Sequence, residues 1–194
     1  GLWHFPSRRL EGEVVRDSVL AAAGLLDPAM GGPDIDQSQG ETVHRRSIYF
    51  RHAHEKQMEF LRLFDAPNVA ECYRRAESII PQQSLAQANS ALTREAARVS
   101  AARLSRQLDP EGSDADFGDA AFELLLARRP TDDERATCEA FLSRQAAMLA
   151  GGSKLTPFAE GPQVRVPPST DARQRARESL LHVLFNHHEF VTLR

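Results

Sequence analysis

The chain has 194 residues, 41% of them hydrophobic and 26% charged, which is the balance of a folded globular protein with enough apolar material for a proper core. Its net charge of -3 is built from arginines scattered among acidic residues, with no basic stripe, and this argues against nucleic acid as a partner. No apolar run approaches the roughly 20 residues that span a bilayer. No signal peptide or initiating Met opens the chain, which reads as a piece of a longer protein.

Gly1 to Pro6 (GLWHFP) holds the only Trp and reads as an extended arm. From about Ser7 to Ala23 the spacing predicts a helix. Leu10, Val14 and Ala21 share one face, Val15, Val19 and Ala22 the adjoining one, and Gly24 makes a natural stop. Arg16 and Asp17 fall in the middle of this helix and read as a solvated face or a local ion pair. Asp27 to Glu41 (DPAMGGPDIDQSQGE) is a structured loop, long for a compact domain. Gly31-Gly32-Pro33 suits a tight turn with positive φ. No Lys-Ser/Thr follows and no strand precedes it, so it is not a phosphate loop. Asp34 and Asp36 lack the Gly and the distal Glu that a calcium loop needs.

Ser47 to Phe50 carries the only strand signal, a short extended piece. A helix is expected from about Ala53 to Phe64, with Met58, Leu61 and Phe64 at helical spacing beside Phe60, and Asp65-Ala66-Pro67 ends it. Asn68 to Ile80 reads as irregular, with Tyr73, Arg74 and Arg75 at its centre. Pro81, at a first-turn position, opens the longest helix, to about Leu108. Leu85, Ala88, Leu92, Ala96 and Val99 give that helix a narrow stripe rich in alanine, suited to close packing. Asn89 beside the stripe is expected to be buried and to tie down a neighbouring loop.

After a turn at Asp109 to Gly112, Ser113 with Asp116 resembles a capping box, and Phe117, Ala121, Leu124 and Leu125 mark the next helix. Pro130-Thr131-Asp132-Asp133-Glu134 is the clearest helix start in the sequence. Cys138, Phe141, Leu142 and Leu149 form that helix's buried face, Gly151-Gly152 ends it, and the two helices form a hairpin. A flexible loop with four prolines occupies 151–169. The last helix runs from about Thr170 to Phe185, with Ala176, Leu180 and Leu184 inward. The expected fold is all-α: a single helical domain over 1–194, an irregular bundle of five to six main helices with two long loops and at most a minor β piece.

Candidate chemistry collects between Arg45 and Asn89. His52 and His54, with His44 and Glu55 nearby, form the sharpest constellation. A His-x-His pair on an extended segment points both imidazoles to one side, as a metal site needs; on a helix the pair splays apart. Spacing fixes no third ligand, His187 and His188 being candidates only by type, and surface or capping histidines are the alternative. Arg45, Arg46, Arg51, Arg74 and Arg75 would suit sulfate or carboxylate groups, which guanidinium forks bind bidentately; the alternative is pairing with Asp65, Glu71 and Glu77. Tyr49, Tyr73 and Phe50 are candidates to stack on sugar rings, or else belong to the core. Cys72 and Cys138 are either two buried thiols or one disulfide. No CxxCH occurs, so the chain attaches no c-type haem, and no G-x-S-x-G elbow supports serine catalysis.

Seven segments in order carry a resemblance: SRRLEGEVVRDSVLAAAGLLD, MGGP, RRSIYF, the LFDAP break, ESIIPQQSLAQAN, the RRPTDDE helix start and the terminal LLHVLFNHHEF. Together, from about Ser7 to the C-terminus, they resemble the uncharacterised C-terminal domain of large multidomain proteins abundant in planctomycetes. In those proteins the domain accompanies a planctomycete-type cytochrome c module. The resemblance implies an exported protein, in the periplasm or at the cell surface, linked to breakdown of sulfated polysaccharide. It implies other domains of the parent, sulfatase-like proteins or polysaccharide as partners, with any haem carried by a separate module. No catalytic residue comes with it. The resulting expectation is a non-catalytic binding or scaffold module with no cofactor of its own. The alternative is a hydrolase-like or metal-dependent enzyme domain with a site around His52, His54, Arg46 and Asp65.

Overall fold

A computed structural model describes residues 8–64, 70, 80–108, 112–151 and 164–193. The arm at 1–6, Asp65, Cys72, Tyr73, Arg74, Arg75 and most of the loop at 151–169 lie outside them. Among the described residues the fold is all-α with one small β piece, as expected from the sequence. It has seven α-helices: α1 (Gly12–Ala23), α2 (Glu59–Leu63), α3 (Ile80–Asn89), α4 (Ala91–Gln107), α5 (Asp114–Leu126), α6 (Asp132–Ala150) and α7 (Ala172–Phe185). The β piece is not at Ser47–Phe50, which winds into a 3-10 turn over Ser47–Tyr49. It joins β1 (Arg8–Arg9) to β2 (Thr192–Leu193) in an antiparallel pair.

That pairing also corrects the start of the first helix. Arg8 and Arg9 are taken up by β2, and the Leu10 N–H donates to the Val191 carbonyl at 2.8 Å. The helix begins at Gly12 and stops, as anticipated, at Gly24, whose φ of 72° suits glycine. Its buried face also differs in phase from the expected one: Val15, Arg16, Val19, Leu20 and Ala23 point inward, while Val14 and Ala21 are exposed. Gly12 is a close-approach position, since a Cβ there would lie 2.7 Å from Phe64 Cβ at the end of α2.

The long loop is held by single backbone contacts instead of a sheet. Asp27 bridges to Arg45 and Ile35 to Phe50 in the parallel sense. The Ile35 N–H donates to the Tyr49 carbonyl at 2.8 Å, and the Arg51 N–H donates to the Ile35 carbonyl at 2.9 Å. Within it, the Asp36 side chain caps a 3-10 turn over Gln37–Gln39. The helix expected from Ala53 contracts to Glu59–Leu63 because Ala53 and Lys56 exchange backbone bonds across a tight turn. Met58 is buried against Gly40, where any Cβ would overlap the methionine side chain.

The single long helix expected from Pro81 to Leu108 is two helices. Ser90 stands between them in an extended conformation (φ -63°, ψ 132°) and caps Thr93. Glu41 secures the break from outside: its Oε1 accepts from Ser90 Oγ and from the Ala91 N–H, each at 3.1 Å. A carboxylate on the first free amides of a helix is favoured by both hydrogen bonding and the helix dipole. Leu85 is exposed and Asn89 is not buried; the tying amide is Gln87, whose Nε2 donates to the Phe185 carbonyl at 2.7 Å.

Both predicted capping boxes are present, Ser113 with Asp116 and Thr131 with Glu134. The hairpin of α5 and α6 buries Phe117, Ala121, Phe122, Cys138 and Leu142. Cys138 is a buried free thiol, and burial pushes its pKa up. The last helix starts at Ala172, two residues later than expected, with Asp171 capping Gln174. It lies at the centre, against α4, α5 and α6, with Ala176, Leu180, Leu181, Leu184 and Phe185 buried. The alanine stripe of α4 is buried through Ala96, Ala97 and Ala101. No helix among the described residues is long and apolar enough to cross a membrane.

Candidate functional site

Two adjacent residues of α1 determine the shape of the surface around residues 40–58. Arg16 is only 1% exposed, on the same helical stripe as Leu20 and Ala23. A buried guanidinium needs acceptors for its five N–H groups, and this one has five bonds. Nε and Nη2 donate to the Gly40 carbonyl at 3.2 and 2.9 Å. Nη1 donates to the Arg45 carbonyl at 3.0 Å and to Ser47 Oγ at 3.3 Å. Nη2 also donates to the Val43 carbonyl. The Phe50 ring lies under the guanidinium, 4.8 Å from its Cζ. Burial pulls the Arg16 pKa down to about 10, with Asp17 opposing the fall, so it stays charged at neutral pH.

Asp17 completes the clamp. Its Oδ1 accepts from the Ser47 N–H at 2.8 Å and from Ser47 Oγ at 2.7 Å. Ser47 thus donates to the carboxylate and accepts from the guanidinium, which fixes its hydroxyl in one orientation. The segment from Gly40 to Phe50 has almost no secondary structure of its own, and the polar pair on α1 substitutes for a sheet.

On this frame the predicted site residues separate. The Arg45 guanidinium stacks on the Tyr49 ring, 4.0 Å from its centroid, and its Nη2 donates to the Ala29 and Gly31 carbonyls. Tyr49 Oη accepts from the Gly31 N–H at 2.9 Å. This pair therefore anchors the glycine turn. Arg51 pairs with Asp34, which lowers the aspartate's pKa and raises the arginine's. Arg46 is different: half its side chain is exposed and its Nε is 3.7 Å from Asp17 Oδ2.

Arg46, Arg51 and His52 line one cleft of about 410 Å³, with Asp17, Glu11 and Glu13 on the α1 side and Val14, Ile48, Met58 and Leu61 as apolar surface. His54 is exposed on the turn between Ala53 and Lys56 and does not line this cleft. His44 is half-buried, and burial pulls its pKa down. His187 and His188 sit together at the C-terminal 3-10 turn, where His187 Nδ1 accepts from the Glu189 N–H at 3.3 Å. Among the described residues no three His, Cys, Asp or Glu side chains converge as metal ligands would.

Sequence reasoning missed Arg16 and Asp17, and a signal for the first was available. Arg16, Leu20 and Ala23 recur at i, i+4 and i+7, the spacing of a buried face. The expected local ion pair is present, with Arg16 Nη1 3.8 Å from Asp17 Oδ1, but the solvated face is not, since Arg16 is buried.

A family described as PSD1, protein of unknown function (DUF1553), matches residues 1–142. No curated protein and no solved structure matches the chain. The matched stretch holds the whole of the cleft and most of the helices, and it stops inside α6, so α7 and the terminal LLHVLFNHHEF lie beyond it. Since the match covers well over half of its length, the chain belongs to this PSD1 family.

Proposed function

We propose that the chain is a binding or scaffold module, and that its docking surface is the cleft between α1 and residues 46–58. The observation that carries this is how the cleft's side chains are used. Asp17 is committed to Ser47 and Arg51 to Asp34, while Ile48 at 61% exposure and Val14 at 42% stand open beside half-exposed Arg46. Apolar anchors next to an arginine are the usual energetic centre of a protein contact. A reaction centre needs a nucleophile within reach of a base, and a base in turn held by a third group. His52, the cleft's imidazole, has no hydrogen bond or ion pair among the described residues.

The partner fitting this reading is another domain of the parent protein, in an exported multidomain polypeptide that works on sulfated polysaccharide, the setting that the family resemblance suggests. Any haem belongs to a separate module. Of the three singled-out arginines among the described residues, Arg45 is stacked on Tyr49 and Arg51 is paired with Asp34, which leaves half-exposed Arg46 beside the apolar surface.

A photo-crosslinking residue at position 48 of the full-length parent protein tests this. The expected product is an intrachain crosslink to another domain, lost when Arg46→Glu is added. A stoichiometric transition metal in the purified protein, lost in His52→Ala, would overturn the reading in favour of a metal-dependent enzyme. Binding to a sulfated polysaccharide array, abolished by Arg46→Glu without any crosslink, would overturn the protein-docking assignment in favour of a glycan.

A further inference from the structure

A second pocket, of about 180 Å³, lies on the seam between α4 and α7 and shares no residue with the α1 cleft. Arg94 and Arg98 line it from α4 at i, i+4, and Arg175, Glu178 and His182 line it from α7 at i, i+3 and i+7. Like charges at i, i+4 disfavour a helix, so the two α4 arginines are not there for helix stability.

Three guanidinium groups face this pocket against one carboxylate, and that carboxylate is already engaged. Glu178 Oε1 accepts from the Ser169 N–H at 3.1 Å, and the contact from Arg98 Nε to Glu178 Oε2 is 4.0 Å. Arg98 Nη1 donates to the Val166 carbonyl, and Arg94 Nη2 reaches the Asn89 carbonyl at 3.4 Å. The buried Nε of Arg94 has no partner among the described residues. The Arg175 guanidinium makes no hydrogen bond or ion pair there either, although the neighbouring Arg173 and Arg177 both pair with Asp114.

We propose that this pocket binds one small tetrahedral oxyanion between Arg94, Arg98 and Arg175. Guanidinium forks arriving from two helices supply donors to several corners of such an ion, with the charge-assisted geometry that favours arginine at sulfate and phosphate sites. The volume is below the roughly 300–1,000 Å³ of pockets that take drug-sized ligands, so a compact ion or the terminal group of a monoester fits and a larger body stays outside. Burial pulls the Arg98 pKa down and pushes the Glu178 pKa up, so the seam is partly desolvated, where a charge-assisted bond to an ion gains strength. The α7 wall lies beyond the family-matched residues, and the inference stands apart from the docking surface proposed above.

Isothermal titration of the full chain with sodium sulfate, inorganic phosphate and phenyl phosphate, at constant ionic strength set by sodium chloride, tests it. Saturable one-site binding is expected. Arg175→Gln should weaken it about tenfold with an unchanged thermal midpoint, Arg94→Gln should do the same, and Glu178→Gln should tighten it. Phenyl phosphate binding as well as the inorganic ions assigns the pocket to a terminal monoester; binding of the inorganic ions only assigns it to the free ion. No saturable heat above the chloride control, or affinity unchanged in both arginine variants, overturns the proposal.

Discussion

At the scale of single residues, Arg16 illustrates how a buried charge beside a neighbouring acid can organise backbone as well as form an ion pair. Four of its five bonds go to backbone carbonyls and one to a serine hydroxyl, so the guanidinium serves as a template on which a loop is folded. Lysine keeps the charge but has three donors on a point-like ammonium, and it would leave buried carbonyls unpaired. Arg16→Lys is therefore expected to lower stability by about 2–3 kcal/mol, the cost of stranding buried acceptors, read from urea denaturation. Glu134 makes a pH-dependent contribution of the opposite charge type. Hydrogen bonds from Arg128 first, then from the Thr131 N–H, lower its pKa from 4.5 to about 2. The folded value is below the unfolded one, so ionised Glu134 adds stability above pH 4.5 that is lost as the pH falls toward 2. Glu134→Gln should flatten the stability curve in that window and leave its shape at pH 7 to 9 unchanged.

At the scale of elements, the ends of helices were more legible than their middles. Thr131 with Glu134, Ser113 with Asp116, and Gly24 are local signals: each acts within three or four residues, and each stands where the sequence put it. The break at Ser90 was not legible, because half of it is supplied by Glu41, a residue 49 positions away. The same holds at Arg8 and Arg9, which read as helix until their partners at Thr192 and Leu193 are known. Of the candidate site, the sequence located the segment but not the pairing. Arg45 and Tyr49 are neighbours on one turn, whereas the acids that meet Arg46 and Arg51 are Asp17 and Asp34, remote in sequence. Ser90→Ala removes the cap of α4 and one of the two bonds to Glu41 and should cost about 1 kcal/mol, measured by chemical denaturation. Glu41→Gln, which keeps an acceptor but loses the charge at the helix start, should cost less than Ser90→Ala does.

At the scale of the whole molecule, α7 is the axis of packing. It meets α4, α5 and α6, and Leu181 on it is fully buried. Leu181→Ala should cost about 2–5 kcal/mol and lower the thermal midpoint of the entire unfolding transition. The α1 region is built on another principle, with polar bonds holding irregular backbone against a helix, so its stability should be separable from that of the bundle.

That separation is the most direct test of the account, through amide hydrogen exchange on Arg16→Met. The substitution fills the space with a side chain that has no donors. Protection should collapse across residues 40–50, with the amides of Ser47, Tyr49 and Phe50 exchanging at least tenfold faster, while α4 to α7 keep theirs. If residues 40–50 exchange as slowly in Arg16→Met as in the wild type, the buried arginine is not what holds the loop and the cleft in place.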